Sequence, residues 1–577
     1  MHTLIHVTHE AVQKVGGIGA VLQGFFTAKA YNASIERSIL VGPGDAGMQD
    51  LLAKSGKVLY SSIGGIDEGG WGAKLRPVQE RFDVGIIYGK RTFKDKATGV
   101  ESSPEVLLID VSHPSMDRLG DVKRMLYERF GIRSDLYHTW EYEQYVRLAG
   151  PALAAAEALG ATAKGPAVIL AHEFMGMPTA LTAIATESKA WRTAFYAHEV
   201  ATMRRIVEGH PGHDTMFYNV LAQAMAKGKF VEDVFGLQGP YFKHALVSAS
   251  RFCDMVLCVG DHVMSEMKFL GADFASRNLR LAYNGVPAYD VSVDDVEQSK
   301  ARLQKYTETI LEFKPDFIFS HVTRMALSKG MWRDLKVLWH LEKKFRETRQ
   351  TGVLYLLSSE LGAPRKGHEI LDMESRYSWP VAHREGYPDL SGGEADFFVH
   401  MQKFNICARH VRVILVNQFG WSRSTCGQMM QPDMEFIDIR KGTDIEFGQS
   451  IYEPFGIAQL EPLSFGGLCV ITNICGCAGF VDKVTGGQGV PNVLVADYTD
   501  MGEGASTLDK VLSIGARERD AIEEREAERV ATEILKRLPT DRKSREAFTR
   551  SGGEIAKKMS WDVVSRDYLL PALNELK

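Results

Sequence analysis

Twelve short runs of apolar, often β-branched residues, with longer helical patterns between them, restrict this chain to one class of fold. Seven cover residues 4–8, 38–41, 85–88, 106–111, 167–171, 193–197 and 255–259, and five more cover 317–322, 353–357, 411–416, 436–439 and 468–472. A strand that is apolar without alternation must be covered on both faces. A parallel sheet flanked by helices on each side does that. The expected class is therefore α/β.

A charged, helix-prone stretch at 291–313 separates the two sets of runs. At 577 residues the chain is also too long for one compact domain. We expect an N-terminal domain over 1–290, a C-terminal domain over 315–555, and a final helix within 556–577. Ser560 is placed to cap that helix, with Asp562 in its first turn. The Lys/Glu/Arg-rich stretch 517–537 also reads as helix. Two stretches leave the alternation: the Gly-rich 67–81 reads as loop or hairpin, and 360–394 as a long surface excursion.

Charge and composition exclude several functions. The net charge of −5 gives no reason to expect nucleic acid, whose phosphates need a clustered basic surface. No run approaches the roughly 20 apolar residues of a membrane helix, and the opening MHTLIHVTHE reads as a buried strand rather than a secretion signal. Seven scattered cysteines favour reduced thiols in a cytoplasm. Cys469, Cys475 and Cys477 lack a CxxC pair and read as packing thiols, not metal ligands.

Four motifs carry chemistry. Lys14-Val15-Gly16-Gly17-Ile18-Gly19 lies between the first strand and a helix, where glycine backbone N–H groups and the helix dipole suit an anion. The alternative is a plain strand–helix turn. Arg324 and Lys329 flank the end of the first strand of the second set and can converge on a diphosphate. His172-Glu173 and His198-Glu199 each end an apolar strand, where ligands of open α/β sheets gather. In Glu453-Pro454-Phe455-Gly456-Ile457-Ala458-Gln459-Leu460-Glu461 the two glutamates are eight apart, so one helix could present both on one face. Phe455, Gly456 and Ile457 would open that helix with free N–H groups. His210, His213 and Asp214 could form a metal cluster, but the segment through Phe217-Tyr218-Asn219 reads better as an acceptor-side region.

Taken in order along the chain, the motifs resemble those of the glycogen and starch synthases. KVGGIG is similar to the family's Lys-x-Gly-Gly loop, in which Lys14, Gly16 and Gly17 would meet donor phosphates, although Ala20 stands where bacterial members carry aspartate. His172-Glu173 resembles the His-x-His-Asp/Glu-Trp element, and His198 the Phe-Thr-x-His element against the transferred sugar. Asn284-Gly285-Val286 resembles the Asn-Gly-Ile/Val hinge, and Arg324 with Lys329 the R-L-x-x-x-K-G element. Glu453…Glu461 resembles the E-x7-E motif, and Thr472-Asn473-Ile474-Cys475-Gly476 the loop of animal and fungal glycogen synthases.

The resemblance implies two Rossmann-like domains facing across a cleft (GT-B), the last helix crossing back to the first. It implies a retaining transferase that moves glucose from ADP- or UDP-glucose to an α-1,4-glucan without metal or other cofactor. Glu453, His198, Arg324 and Lys329 would be catalytic. Lys14, Gly16, Gly17, Asn284, Phe455, Gly456, Ile457, Glu461, Thr472 and Gly476 would hold the donor, and His172 and Glu173 would lie on the acceptor side. A small acceptor of the sucrose or trehalose type, or a glucan-binding relative without turnover, are the alternatives.

Overall fold

The computed structural model describes residues 2–95, 98–277, 279–360, 371–372, 374–376, 390–417, 420–502 and 507–576. They form two compact units. The first comprises residues 1–203, 224–285 and 561–577, and the second 204–223 and 286–560. The expected boundaries at 290, 315 and 556 therefore shift. Helix Val293–Leu311, read as a divider, belongs to the second unit, capped by Ser292 and Asp295. Nothing in the residue pattern of 204–223 signals that this segment leaves the unit on either side of it.

The first unit is built on a ten-stranded sheet. Its order is Leu279–Leu281, Met255–Cys258, Trp191–Ala197, Ala167–His172, Thr3–Val7, Arg37–Pro43, Glu105–Asp110, Gly85–Arg91, Gly56–Ser61 and Ile66–Asp67. The first seven run parallel, and the last three pair antiparallel. The run at 85–88 was expected in a parallel sheet and instead begins the antiparallel edge. Thr3–Val7 is buried throughout, as its unalternated composition requires. The stretch 67–81, expected as loop or hairpin, holds helix Gly72–Phe82, which buries Leu75, Val78 and Phe82 at helical spacing. Its preceding glycines, Gly69 and Gly70 at φ +103° and +77°, make the turn and masked that period.

Residues 561–577 complete this unit. Trp561 packs edge-on against Phe25 at 5.2 Å, Asp562 accepts the Ala30 N–H at 2.9 Å, and Arg280 pairs with Glu575 at 2.8 Å. Two glycines make room for the indole. A Cβ on Gly24 would lie 2.1 Å from ring carbons of Trp561, and one on Gly285 2.5 Å.

The second unit holds a six-stranded parallel sheet in the order Val411–Val416, Gly352–Ser359, Phe317–Arg324, Ile445–Gly448, Leu468–Thr472 and Val493–Ala496. Each face has its own apolar core, one around Leu338, Phe345, Val530 and Ile534, the other around Tyr306, Tyr355 and Trp421. The run 436–439, expected as a strand, starts helix Phe436–Gly442 instead. A four-residue apolar run does not fix its own period. The true strand, Ile445–Gly448, hides a fully buried Glu446 that breaks the apolar pattern and pairs with Arg440 at 3.0 Å. Of the 360–394 excursion, residues 361–370, 373 and 377–389 lie outside the described residues, and helix Gly393–Cys407 takes up its end. Among the described residues no helix is long and apolar enough to cross a membrane.

Gly24→Ala is expected to cost about 1–3 kcal/mol by forcing the Trp561 ring out of register, read by urea unfolding. A loss below about 0.5 kcal/mol would mean that the ring moves aside freely.

Candidate active site

Three neighbouring parallel strands of the first unit bring three histidines together. His6 lies in Thr3–Val7, His172 ends Ala167–His172, and His198 follows Trp191–Ala197. His6 Nδ1 meets His172 Nε2 at 2.9 Å, and His172 Nδ1 meets His198 Nε2 at 2.8 Å. At the inner end His6 Nε2 meets the Tyr31 hydroxyl at 2.8 Å, which meets Ser38 Oγ at 2.9 Å. The His172 and His198 rings stack at 5.1 Å, 7° from parallel. Burial pushes the pKa of His6 and of His198 down to about 3, and that of His172 well below its ordinary value, with the neighbouring imidazoles adding to the effect on His172. The sequence pointed to His172 and His198. It missed His6 and Tyr31, although a histidine inside an apolar strand was a visible signal.

Glu173, expected on the acceptor side, is buried and held at φ +59°, a costly backbone conformation for this residue. Its carboxylate accepts the Glu199 N–H at 2.6 Å, tying the end of the His172 strand to the residue after His198. Asn284 is buried too, and its Oδ1 has no hydrogen-bond partner among the described residues, as suits a group that meets a ligand.

The glycine-rich turn departs from expectation. Its anion nest is filled from within: Glu10 Oε2 accepts the Val15 N–H at 2.6 Å and the Gly16 N–H at 2.7 Å. Glu10 is only 1% exposed, and a Cβ on Gly19 would stand 2.4 Å from its Oε2. Gly19 is thus the glycine that this arrangement requires, while a Cβ on Gly17 would meet nothing. Lys14 is exposed beside the loop.

In the second unit Lys329 Nζ meets Glu453 Oε2 at 2.5 Å, with both side chains little exposed. Backbone pairing sets this contact, because the Ser328 carbonyl accepts the N–H groups of Ile451 at 2.8 Å and Tyr452 at 3.3 Å. Gln459 Nε2 also reaches Glu453 Oε2, at 3.3 Å, and Ser450 Oγ at 3.1 Å. Arg324 is exposed at the carboxyl end of Phe317–Arg324 and makes no ion pair among the described residues.

The two glutamates do not share one helix. Glu453 lies in a loop, Gly456 turns the chain at φ +92°, and a single helical turn, Ile457–Leu460, leads into a 3₁₀ turn, Glu461–Phe465. Pro454 precedes this helix, and Phe455 and Gly456 lie ahead of its first residue, Ile457. Glu461 pairs with Arg440 Nε at 3.1 Å. Burial opposes the charge of Arg440, but Glu446 and Glu461 outweigh it and hold its pKa above the ordinary value. The eight-residue spacing thus leads to two different cations.

The Thr472–Gly476 loop packs directly beneath Glu453. Gly476 N–H donates to the Glu453 carbonyl at 3.1 Å, and Thr472 Oγ1 donates to the Ser450 carbonyl at 3.1 Å. A Cβ on Gly476 would fall 1.9 Å from the Pro454 carbonyl oxygen. Cys469, Cys475 and Cys477 are buried, and burial raises the pKa of Cys469 and Cys477.

His210, His213 and Asp214 are spent on structure. Asp214 takes Arg333 with both oxygens, at 2.6 and 2.9 Å, and His213 Nδ1 meets the Val207 carbonyl at 2.8 Å. Among the described residues no group of three or more His, Cys, Asp or Glu side chains is arranged to hold a metal ion.

No family model and no curated protein matches the chain. Among solved structures it is similar to the catalytic domain of starch synthase IV from Arabidopsis thaliana bound to ADP and acarbose. That match has 14% identity over 100% of this chain and 99% of the other, with a TM-score of 0.53. The E. coli trehalose-6-phosphate structure bound with UDP-2-fluoro glucose matches at 10% identity, over 100% and 98% of the two chains, with a TM-score of 0.51. An α,α-trehalose-phosphate synthase (UDP-forming) from Burkholderia xenovorans in complex with glucose-6-phosphate matches at 12% identity, over 99% of each chain, with a TM-score of 0.50. These likenesses show the fold, that of the GT-B glycosyltransferases.

The buried histidines predict an acid-sensitive first unit. An unfolded histidine titrates near 6.5, so from there down to about pH 3 the unfolded chain binds a proton that folded His6 refuses. Stability from His6 is therefore full above about pH 6.5 and falls on acidification by about 1.4 kcal/mol per pH unit. His6→Gln is expected to flatten that slope in urea titrations between pH 7 and pH 5. An unchanged slope would place the proton uptake elsewhere.

Proposed function

We propose that the chain is a retaining glycosyltransferase that moves glucose from ADP- or UDP-glucose to the non-reducing end of an α-1,4-glucan. The observation that carries this reading is the Glu453–Lys329 pair, set by the Ser328 carbonyl in the loops that follow parallel strands. Carboxyl ends of such strands are where open α/β sheets bind ligands. The exposed strand-end Arg324 adds a second cation, and the likeness to a starch synthase bound to ADP and acarbose supports the glucan reading.

The chemistry follows from the charges. As the bond from the sugar's anomeric carbon to the diphosphate breaks, negative charge grows on the departing oxygen and positive charge on the sugar. Arg324 and Lys329 meet the first, and the Glu453 carboxylate supports the second. Without donor, Lys329 is bound to Glu453; a diphosphate competes for the ammonium and leaves the carboxylate to the sugar. In the first unit, taken by itself, His198 offers a hydrogen bond to a sugar oxygen. No metal or other cofactor is assigned, since side-chain cations take the diphosphate.

A second reading, transfer to a small phosphorylated sugar, is favoured by the likeness to the Burkholderia synthase in complex with glucose-6-phosphate. Release of nucleoside diphosphate from ADP-glucose, UDP-glucose or GDP-mannose, with glycogen or with glucose 6-phosphate added, separates the two. Stimulation by glycogen is expected; stimulation by glucose 6-phosphate alone would transfer the assignment to the second reading.

Arg324→Ala and Lys329→Ala are each expected to lower kcat by about 10²–10³, the scale of a lost charge-stabilising donor, with the fold intact by circular dichroism. Near-normal rates at saturating donor would remove both residues from the site. Turnover is expected to survive EDTA. A loss restored by Mg²⁺ or Mn²⁺ would overturn the assignment of the diphosphate to side-chain cations.

A further inference from the structure

The histidine file has a direction. A neutral imidazole carries one N–H and one lone pair, and the low pKa values above keep all three rings neutral near pH 7. Each link in the file joins nitrogen to nitrogen or nitrogen to hydroxyl. The donor at one link therefore fixes the donor at every other, and only two arrangements exist. In one, Tyr31 donates to His6 and each ring donates outward, leaving His198 with its proton on Nδ1. In the other every bond is reversed, and His198 Nδ1 is a bare acceptor.

The inner end decides between them. Tyr31 Oη has two neighbours, His6 Nε2 at 2.8 Å and Ser38 Oγ at 2.9 Å, and a single proton to give. A phenol is a far stronger acid than an alkyl alcohol, and a neutral imidazole nitrogen is a far stronger base than a hydroxyl oxygen. The favourable match is phenol O–H to imidazole nitrogen, with the Ser38 hydroxyl donating to the phenol oxygen. At the outer end His198 is partly exposed, and its Nδ1 has no hydrogen-bond partner among the described residues.

We propose that Tyr31, His6 and His172 are positioning residues that fix His198 as the Nδ1–H tautomer, so that its free nitrogen donates a hydrogen bond to an oxygen of a bound sugar. The donor role toward sugar rests on the glycosyltransferase reading, whereas the tautomer assignment stands without it. A proton on His198 Nδ1 selects an oxygen lone pair and disfavours a hydroxyl that must donate at that spot. The inner residues thus act on ligand choice through two intervening rings without touching the ligand.

The test uses the full chain labelled with ¹⁵N-histidine, with the His198 signals identified by their loss in His198→Gln. Two-bond proton–nitrogen correlation spectra at pH 7 are expected to show protonated Nδ1 and unprotonated Nε2 on His198. Tyr31→Phe removes only the hydroxyl and is expected to erode that Nδ1–H population. It is also expected to lower kcat/KM for the nucleotide sugar about tenfold, the scale of one neutral hydrogen bond. Ser38→Ala, which spares the Tyr31-to-His6 bond, is expected to leave both readouts unchanged. An Nε2–H tautomer in the parent chain, or a response to Ser38→Ala without one to Tyr31→Phe, would overturn the assignment. If the tautomer behaves as stated and no nucleotide sugar is turned over, the positioning file stands and the transferase reading fails.

Discussion

Arg333 is the residue on which the second unit depends. It is fully buried at the start of helix Met331–Thr348, holds Asp214 with two nitrogens, and reaches Glu523 on helix Ala516–Arg537 at 2.9 Å. Removing one partner of such a buried pair costs about 3–5 kcal/mol, because a charge is left without compensation. Its Nη1 also lies 3.4 Å from the Ser450 carbonyl, the same oxygen that takes the Thr472 hydroxyl. Gly330, at φ +61°, lets the helix begin here, since a Cβ would stand 2.3 Å from the Gln449 carbonyl oxygen. The Glu453 loop thus inherits its position from a charge network outside the site itself.

A shared electrical logic runs through both units. Groups suited to an ionic ligand already hold an internal partner: Glu10 in the glycine turn, Glu453 against Lys329, Glu461 against Arg440. Buried charge without a partner is expensive, and these contacts keep the polar groups satisfied. An anion that bound at Lys329 would exchange partners with Glu453, and its net energy would be smaller than the contact would suggest.

Sequence legibility followed the physics of burial. Leu468–Thr472 was found with its bounds because four apolar residues run unbroken up to its closing threonine, and Val411–Val416 because Arg412 alone interrupts its apolar run. Ile445–Gly448 was missed because Glu446 sits inside it, satisfied by Arg440, a partner close in sequence but displayed by no periodicity. In the candidate site, Lys329 and Glu453 were both read from motifs, yet their pairing was not, since it depends on a backbone hydrogen bond across 123 residues from Ser328 to Ile451. Glu10 was overlooked for the opposite reason. It lies so near the glycine turn that it looked like part of a strand end, whereas its carboxylate does what an external anion was expected to do.

The path of the chain has a consequence for how the molecule can be made. It passes from one unit to the other four times, at 203/204, 223/224, 285/286 and 560/561. Neither unit is a continuous stretch. A ribosome releases Asp214 more than a hundred residues before the arginine it must neutralise, and Trp561 only after the whole second unit has emerged. Gly24 and Phe25 are made long before the indole they pack against. The first unit therefore cannot be completed before the second, and no single cut of the gene separates one intact unit from the other.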